Sequence, residues 1–136
     1  MTDEDFELLM KAAIAADLPI TKDKLKREFP LWEWENRYGN FWIVDGQLAF
    51  YRIWYSWEGV PGGTDIKYWN PLNNNAEAFE LAIKLMLSIH LDGMQIGYRI
   101  GNIFYTKNIE LINGDVEASV RRAIVEASAE IGEYLS

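Results

Sequence analysis

The sequence predicts an α+β fold with its elements in the order helix–hairpin–helix–hairpin–helix and a mainly antiparallel sheet. Three observations carry this. Three stretches place apolar residues at helical spacing, and two stretches of alternating β-branched and aromatic residues surround tight-turn pairs. No linker or low-complexity segment divides the 136 residues, so 1–136 is expected to be a single domain. With 49% hydrophobic residues there is material for a core, and the length allows helices to pack on a sheet.

Thr2 followed by Asp5 reads as a capping box, and Asp3, Glu4 and Asp5 crowd the turn where the helix dipole favours acids. Phe6, Leu9, Met10, Ala13 and Ile14 recur at helical spacing, so a helix is expected over 3–16, ended by Asp17-Leu18-Pro19. Lys22–Phe29 has the composition of a short helix stopped by Pro30, and "LWEWEN" alternates with a period of two. In "NFWIVDGQLAFYRIWYSW" two β-rich runs flank Asp45-Gly46, a pair that tolerates the positive φ angles of a hairpin turn. "EGVPGGTD" is expected to be a loop, because Pro61 and three glycines interrupt regular structure.

Ahead of the second helix, Asn70 precedes Pro71 and is kept extended. Asn74 with Glu77 forms an Asn version of the capping box. Phe79, Ala82, Ile83 and Met86 make an apolar stripe that Ala78, Leu81 and Leu85 widen, a pattern that predicts a helix buried on most of its surface, with Trp69 anchoring the incoming chain. Met94, Ile96, Tyr98 and Ile100 then alternate with polar or small residues, and Gly101-Asn102 reverses the chain into a second hairpin. Asn113-Gly114-Asp115 supplies a turn and a cap. The last helix is expected to bury Val116, Val120, Ile124, Ala127, Ile131 and Leu135, with Glu117 ahead of Arg121 as an i,i+4 pair on the other side. "DGQLAFYRI" at 45–53 and "DGMQIGYRI" at 92–100 agree at five of nine positions. A duplicated unit explains that likeness, and so do the shared demands of a turn that leads into a strand.

Composition narrows the chemistry. The chain has no Cys, which excludes disulfides, thiolate metal sites and a Cys nucleophile and fits a reducing, cytoplasmic setting. The acidic "MTDEDFELLM" does not read as an export signal, and no apolar run reaches the ~18 residues of a membrane span. Twenty-one acids face 13 bases, a net charge of -8. Such a surface opposes direct nucleic-acid binding and suits a basic protein partner. No P-loop, Rossmann fingerprint, nucleophile elbow or HExxH motif is present. The one histidine, His90, excludes any site built from two imidazoles of one chain, and no cofactor is expected. Glu126 and Glu130, one helical turn apart, read as a solvated face, while Glu33 and Glu35 stand among unusual neighbours.

Those neighbours are aromatic. All six tryptophans fall within positions 32–69. In "LAFYRIWYSW" Phe50, Arg52 and Trp54 point to one face, and Tyr51, Tyr55 and Trp57 to the other. One face can feed a core; a helix, another subunit or a ligand must cover the second. Trp, Tyr and Arg concentrate binding energy at interfaces, so Trp32, Trp34, Arg52, Trp54 and Trp57, with Arg99, are the candidate binding residues. Arg52 and Arg99 are also suited to hold an anion.

"YWNPLNNNAEAFELAIKL" and "RRAIVEASAEIGEYL", together 33 residues, resemble the phage ABA-sandwich domain family of small bacteriophage and prophage proteins. The match differs at Asn74 and Asn75, where that pattern has acids. The resemblance implies an α/β/α sandwich, a phage or prophage origin and a bacterial cytoplasm. It carries no catalytic residue. The expectation is a non-enzymatic accessory protein that binds a host protein, such as a defence component, through an aromatic and acidic surface, with a homo-oligomer also open. A nucleotide- or sugar-binding protein using Arg52, Trp54 and Trp57, or a hydrolase using Glu33 and Glu35, are the alternatives.

Overall fold

The structure, a computed structural model, describes residues 2–18, 42–44, 47–55 and 61–135, with backbone pairing alone for those between 42 and 67. It is α+β and falls into two compact units, one holding the strands that precede Trp69 and the other joining Thr2–Leu18 to Asn70 and the residues after it.

In the first unit β1 (Trp42–Val44), β2 (Gln47–Tyr55) and β3 (Pro61–Tyr68) form an antiparallel meander in that order. Val44 pairs with Gln47, so the predicted hairpin is present; Asp45 and Gly46, assigned its turn, lie outside the described residues. The expected loop over "EGVPGGTD" is corrected from Pro61 onward, because that stretch is strand β3. Proline opens the strand, where a missing N–H costs least. Trp54 faces Gly63 and Tyr55 faces Pro61, which leaves Gly62 as the extra residue of a β-bulge. A glycine tolerates that kink, so the feature that argued for a loop is what the bulge requires.

The second unit begins with α1 (Asp3–Ala15), capped as expected: Thr2 Oγ1 accepts from the Asp5 N–H at 3.1 Å. α2 (Asn75–Lys84) starts in the same way, with Asn74 Oδ1 accepting from the Glu77 N–H at 3.0 Å. Glu77 does not reach back to its own cap. Its Oε1 accepts from the Asn70 N–H at 3.1 Å, while Asn70 Oδ1 accepts from the Leu72 N–H, so the N-P-L turn is tied to the helix it introduces. Pro71 and Trp69 are buried, as an anchored turn requires.

Both helices end in a Schellman motif. Leu18 N–H donates to Ala13 C=O and Asp17 N–H to Ile14 C=O; Leu87 N–H donates to Ala82 C=O and Met86 N–H to Ile83 C=O. The motif needs a left-handed residue, and here Asp17 (φ 59) and Met86 (φ 55) occupy the usual glycine position.

After α2 come β4 (Ser88–His90), β5 (Gln95–Ile100) and β6 (Ile103–Asn108), a second antiparallel meander. Each predicted hairpin is thus a three-stranded unit, and each nine-residue Asp-Gly stretch leads into a central strand preceded by a three-residue strand. Gly101 (φ 62) makes the predicted reversal between the paired Ile100 and Ile103. Asn113 (φ 50) and Gly114 (φ 72) sit between the bridged Ile112 and Asp115, a type I′ pattern. Asp115 Oδ1 then accepts from the Ala118 N–H and opens α3 (Val116–Leu135).

The core lies along α3, and its buried face is the predicted one only in part: Ile124, Ala127 and Ile131 are buried as expected. Val116 and Leu135 are exposed, while Ser119, Ala123, Val125, Ser128, Ala129 and Gly132 are buried. Small residues win because α1 comes very close: a Cβ on Gly132 would meet the Lys11 carbonyl oxygen at 1.8 Å. The two buried serines bond within the chain, Ser119 Oγ donating to Asp115 C=O and Ser128 Oγ to Ile124 C=O, so they enter the core without orphaned hydroxyls.

Candidate functional site

The expectation that α2 is buried on most of its surface is overturned. Its buried residues are Ala78, Leu81 and Ala82, the set that lies against α3. Phe79, Ile83 and Met86, assigned to the core stripe, are 65%, 60% and 86% exposed. Phe79 and Ile83 sit one helical turn apart on α2, and Met86, just past the helix end in the left-handed position, continues the same outward strip. The Schellman turn at Met86 sends the chain directly into β4, which brings exposed Ile89 beside the strip, with Leu91 and Val116 beyond it.

Two adjoining grooves follow from this arrangement. One, of ≈ 450 Å³, lies between α2, β4 and the first half of α3, with Phe79, Ile89, Leu91, Val116 and Val120 among its lining. The other, of ≈ 390 Å³, shares Phe79 and Ile89 and runs on past Ile83 to Met86. Polar groups stand at one end, where Asn75, Glu117 and Arg121 line the first groove. The expected Glu117–Arg121 pair is replaced by a relay. Arg121 Nε donates to Leu72 C=O at 2.8 Å and Nη1 to Asn75 Oδ1 at 2.7 Å, while Asn75 Nδ2 donates to Glu117 Oε2 at 3.5 Å. Arg121 thereby holds the turn before α2 against α3.

A second polar cluster joins β5 and β6 to α3. The Tyr98 hydroxyl donates to Glu130 Oε2, Lys107 Nζ lies 3.6 Å from Glu130 Oε1, and Tyr98 stacks on Tyr105 with centroids 5.7 Å apart. Burial, then the hydrogen bond to Glu130, pushes the Tyr98 phenol up to about 12. A phenol so placed keeps its proton at neutral pH and acts as a clamp between sheet and helix. Glu130 is exposed, as the expected solvated face requires, and is tethered there by Tyr98 and Lys107. His90 is exposed on β4, and among the described residues no three His, Asp or Glu side chains gather as a metal site would require.

The residues singled out from the sequence fare unequally. Trp32, Trp34 and Trp57 lie outside the described residues, as do Glu33 and Glu35. Arg52 and Trp54 are on β2, where Arg52 pairs in register with Asp65 and Trp54 with Gly63. Arg99 is exposed on β5, its guanidinium carbon 5.6 Å from the Phe104 ring centroid, and Phe104 in turn lies over Gly97, leaving no room there for a Cβ. The outward strip of α2 was missed as a site. Its signal was present: an apolar arc broader than one neighbouring helix covers on a ten-residue helix. Among the described residues no helix is long and apolar enough to cross a membrane. Compared with protein-family models, with curated proteins and with solved structures, the chain finds no match in any of the three.

Proposed function

We propose that this chain is a non-enzymatic binding protein that engages a protein partner through the apolar surface of α2, β4 and the start of α3. The observation that carries the reading is the exposure of Phe79, Ile83 and Met86 beside Ile89, Leu91 and Val116. Weighted by their exposures, these side chains leave on the order of 600 Å² open, the upper end for the largest patch on a monomer. The resemblance to phage ABA-sandwich proteins adds a phage or prophage setting, in which the partner is a host protein and a defence component is one such target. The aromatic segment with Trp32, Trp34, Arg52, Trp54 and Trp57 extends this reading as a further contact surface.

The test pairs stability with capture. Phe79→Gln and Ile83→Gln should unfold at the wild-type temperature yet lose a host protein that the wild-type chain retains from lysate. Variants that unfold early, or that retain everything the wild type retains, would sink the reading. The ≈ 450 Å³ groove also falls in the size range of small-ligand sites, which favours a second reading. A co-purifying mass in gentle native mass spectrometry, displaced by Phe79→Gln, would support it. A nucleotide or sugar would instead require the stacking surface around Arg52, Trp54 and Trp57.

A further inference from the structure

We infer that the element seated in this groove is a basic amphipathic helix, a conclusion that rests on the protein-partner reading above and specifies its chemistry. The shape argues for a helix. The groove is lined along α3 by Val116, Val120 and Ile124, which are spaced i, i+4 and i+8, with Phe79, Ile89 and Leu91 completing the apolar lining. Three such residues span about 12 Å, roughly two helical turns, and the apolar strip continues beyond Phe79 to Met86. Side chains at i, i+3, i+4 and i+7 of an incoming helix match a slot of that kind. The neighbouring strand β4 has three residues, too short to bind an extended peptide by backbone pairing. Met86 at the far end supplies a flexible, polarisable surface that adapts to varied apolar side chains.

Charge decides the polar face of that helix. Glu80, Asp92, Asp115 and Glu117 are exposed and each is next in sequence to an apolar residue of the patch; Glu117 lines the groove itself and accepts from Asn75, and Asp115 caps α3. Against them stand Lys84 and Arg121, and Arg121 already donates to Leu72 C=O and Asn75. The whole chain carries -8. A second copy would bring the same acids face to face and be repelled, whereas Lys and Arg along the edges of an incoming helix would be drawn to this rim.

The test uses the full chain and a labelled synthetic peptide of two Leu-Lys heptads with Leu at the core positions. A scrambled Lys peptide and the Leu-Glu counterpart are the controls, read by fluorescence anisotropy. The Leu-Lys peptide should bind at least about tenfold more tightly than either control, and more weakly as salt rises. Phe79→Gln and Ile83→Gln should each weaken it about tenfold, and Glu80→Gln with Glu117→Gln several-fold with a shallower salt dependence. Equal binding of either control, or wild-type affinity in the Gln variants, would overturn the inference. So would self-association in sedimentation velocity that Phe79→Gln abolishes, because the face would then belong to a second copy. If the peptide fails to bind while patch-dependent capture of a host protein persists, the basic helix is wrong and the protein-partner reading stands. If both fail, both fall.

Discussion

The two flanks of α3 make opposite use of similar apolar sequence. On one flank α1 lies so close that Gly132 touches the Lys11 carbonyl, and Leu9, Ala12 and Ala13 are fully buried. Polar side chains close that seam: Arg122 Nη1 donates to Asp5 Oδ1 at 2.9 Å, Arg122 Nη2 lies 3.4 Å from Glu4 Oε1, and Lys11 Nζ lies 3.7 Å from Glu133 Oε2. The hydrogen bond to Asp5 raises the Arg122 guanidinium further above its already high value. On the other flank α2 buries Ala78, Leu81 and Ala82 and leaves Phe79 and Ile83 outside. In both places the helix buries two alanines and one leucine. What differs is whether the remaining large side chains find a neighbour, and hydrophobicity alone does not tell a core residue from a contact residue.

The largest way to break this contrast is Gly132→Ala. The added methyl would meet backbone, which cannot rotate away, so α1 and α3 must separate. Overpacking of that kind costs 1–3 kcal/mol or more, against about 1 kcal/mol of helix propensity gained. With the cost at the top of that range because backbone is met, we expect a net loss of about 2 kcal/mol in denaturant unfolding.

Tyr98→Phe comes next. It removes a charge-assisted hydrogen bond from a residue that is 4% exposed, but Glu130 can turn to water, so about 1–2 kcal/mol should be lost. The same clamp has a pH signature. Because the folded phenol titrates near 12 and the unfolded one near 10, its contribution is complete below about pH 10 and is lost as pH rises towards 12. Wild-type stability should therefore fall more steeply across that window than that of Tyr98→Phe, as followed by thermal unfolding.

Smaller still is Met86→Gly. Relieving a left-handed methionine at the Schellman position of α2 should stabilise the chain by about 0.5–1 kcal/mol. On the α1 side Asp17→Gly should gain less, since Asp tolerates that conformation better. The least effect on stability belongs to Phe79→Gln and Ile83→Gln, within about 0.5 kcal/mol, because surface substitutions are nearly neutral. A loss like that at Gly132 would show that the open flank is core after all.

Much of the local structure was legible in the residues. Thr2 and Asn74 cap the helices named for them, Gly101 and Asn113-Gly114 make their turns, and Asp115 opens α3. Two readings failed for one reason. Pro61 and Gly62 argued against a strand until β2 supplied a partner and a bulge absorbed the extra residue. Phe79, Ile83 and Met86 argued for a core until the actual neighbours proved to lie on the Ala78–Leu81–Ala82 side.

Caps, turns and reversals are decided by atoms within a few positions of one another, and the order of residues therefore determined them, together with the α+β class and the acidic surface. Which side of an apolar helix is covered depends on what arrives from elsewhere in the chain and how closely it can approach. Only the tertiary structure decided that, by bringing α1 onto α3 at Gly132 and leaving Phe79 and Ile83 of α2 with no helix over them among the described residues.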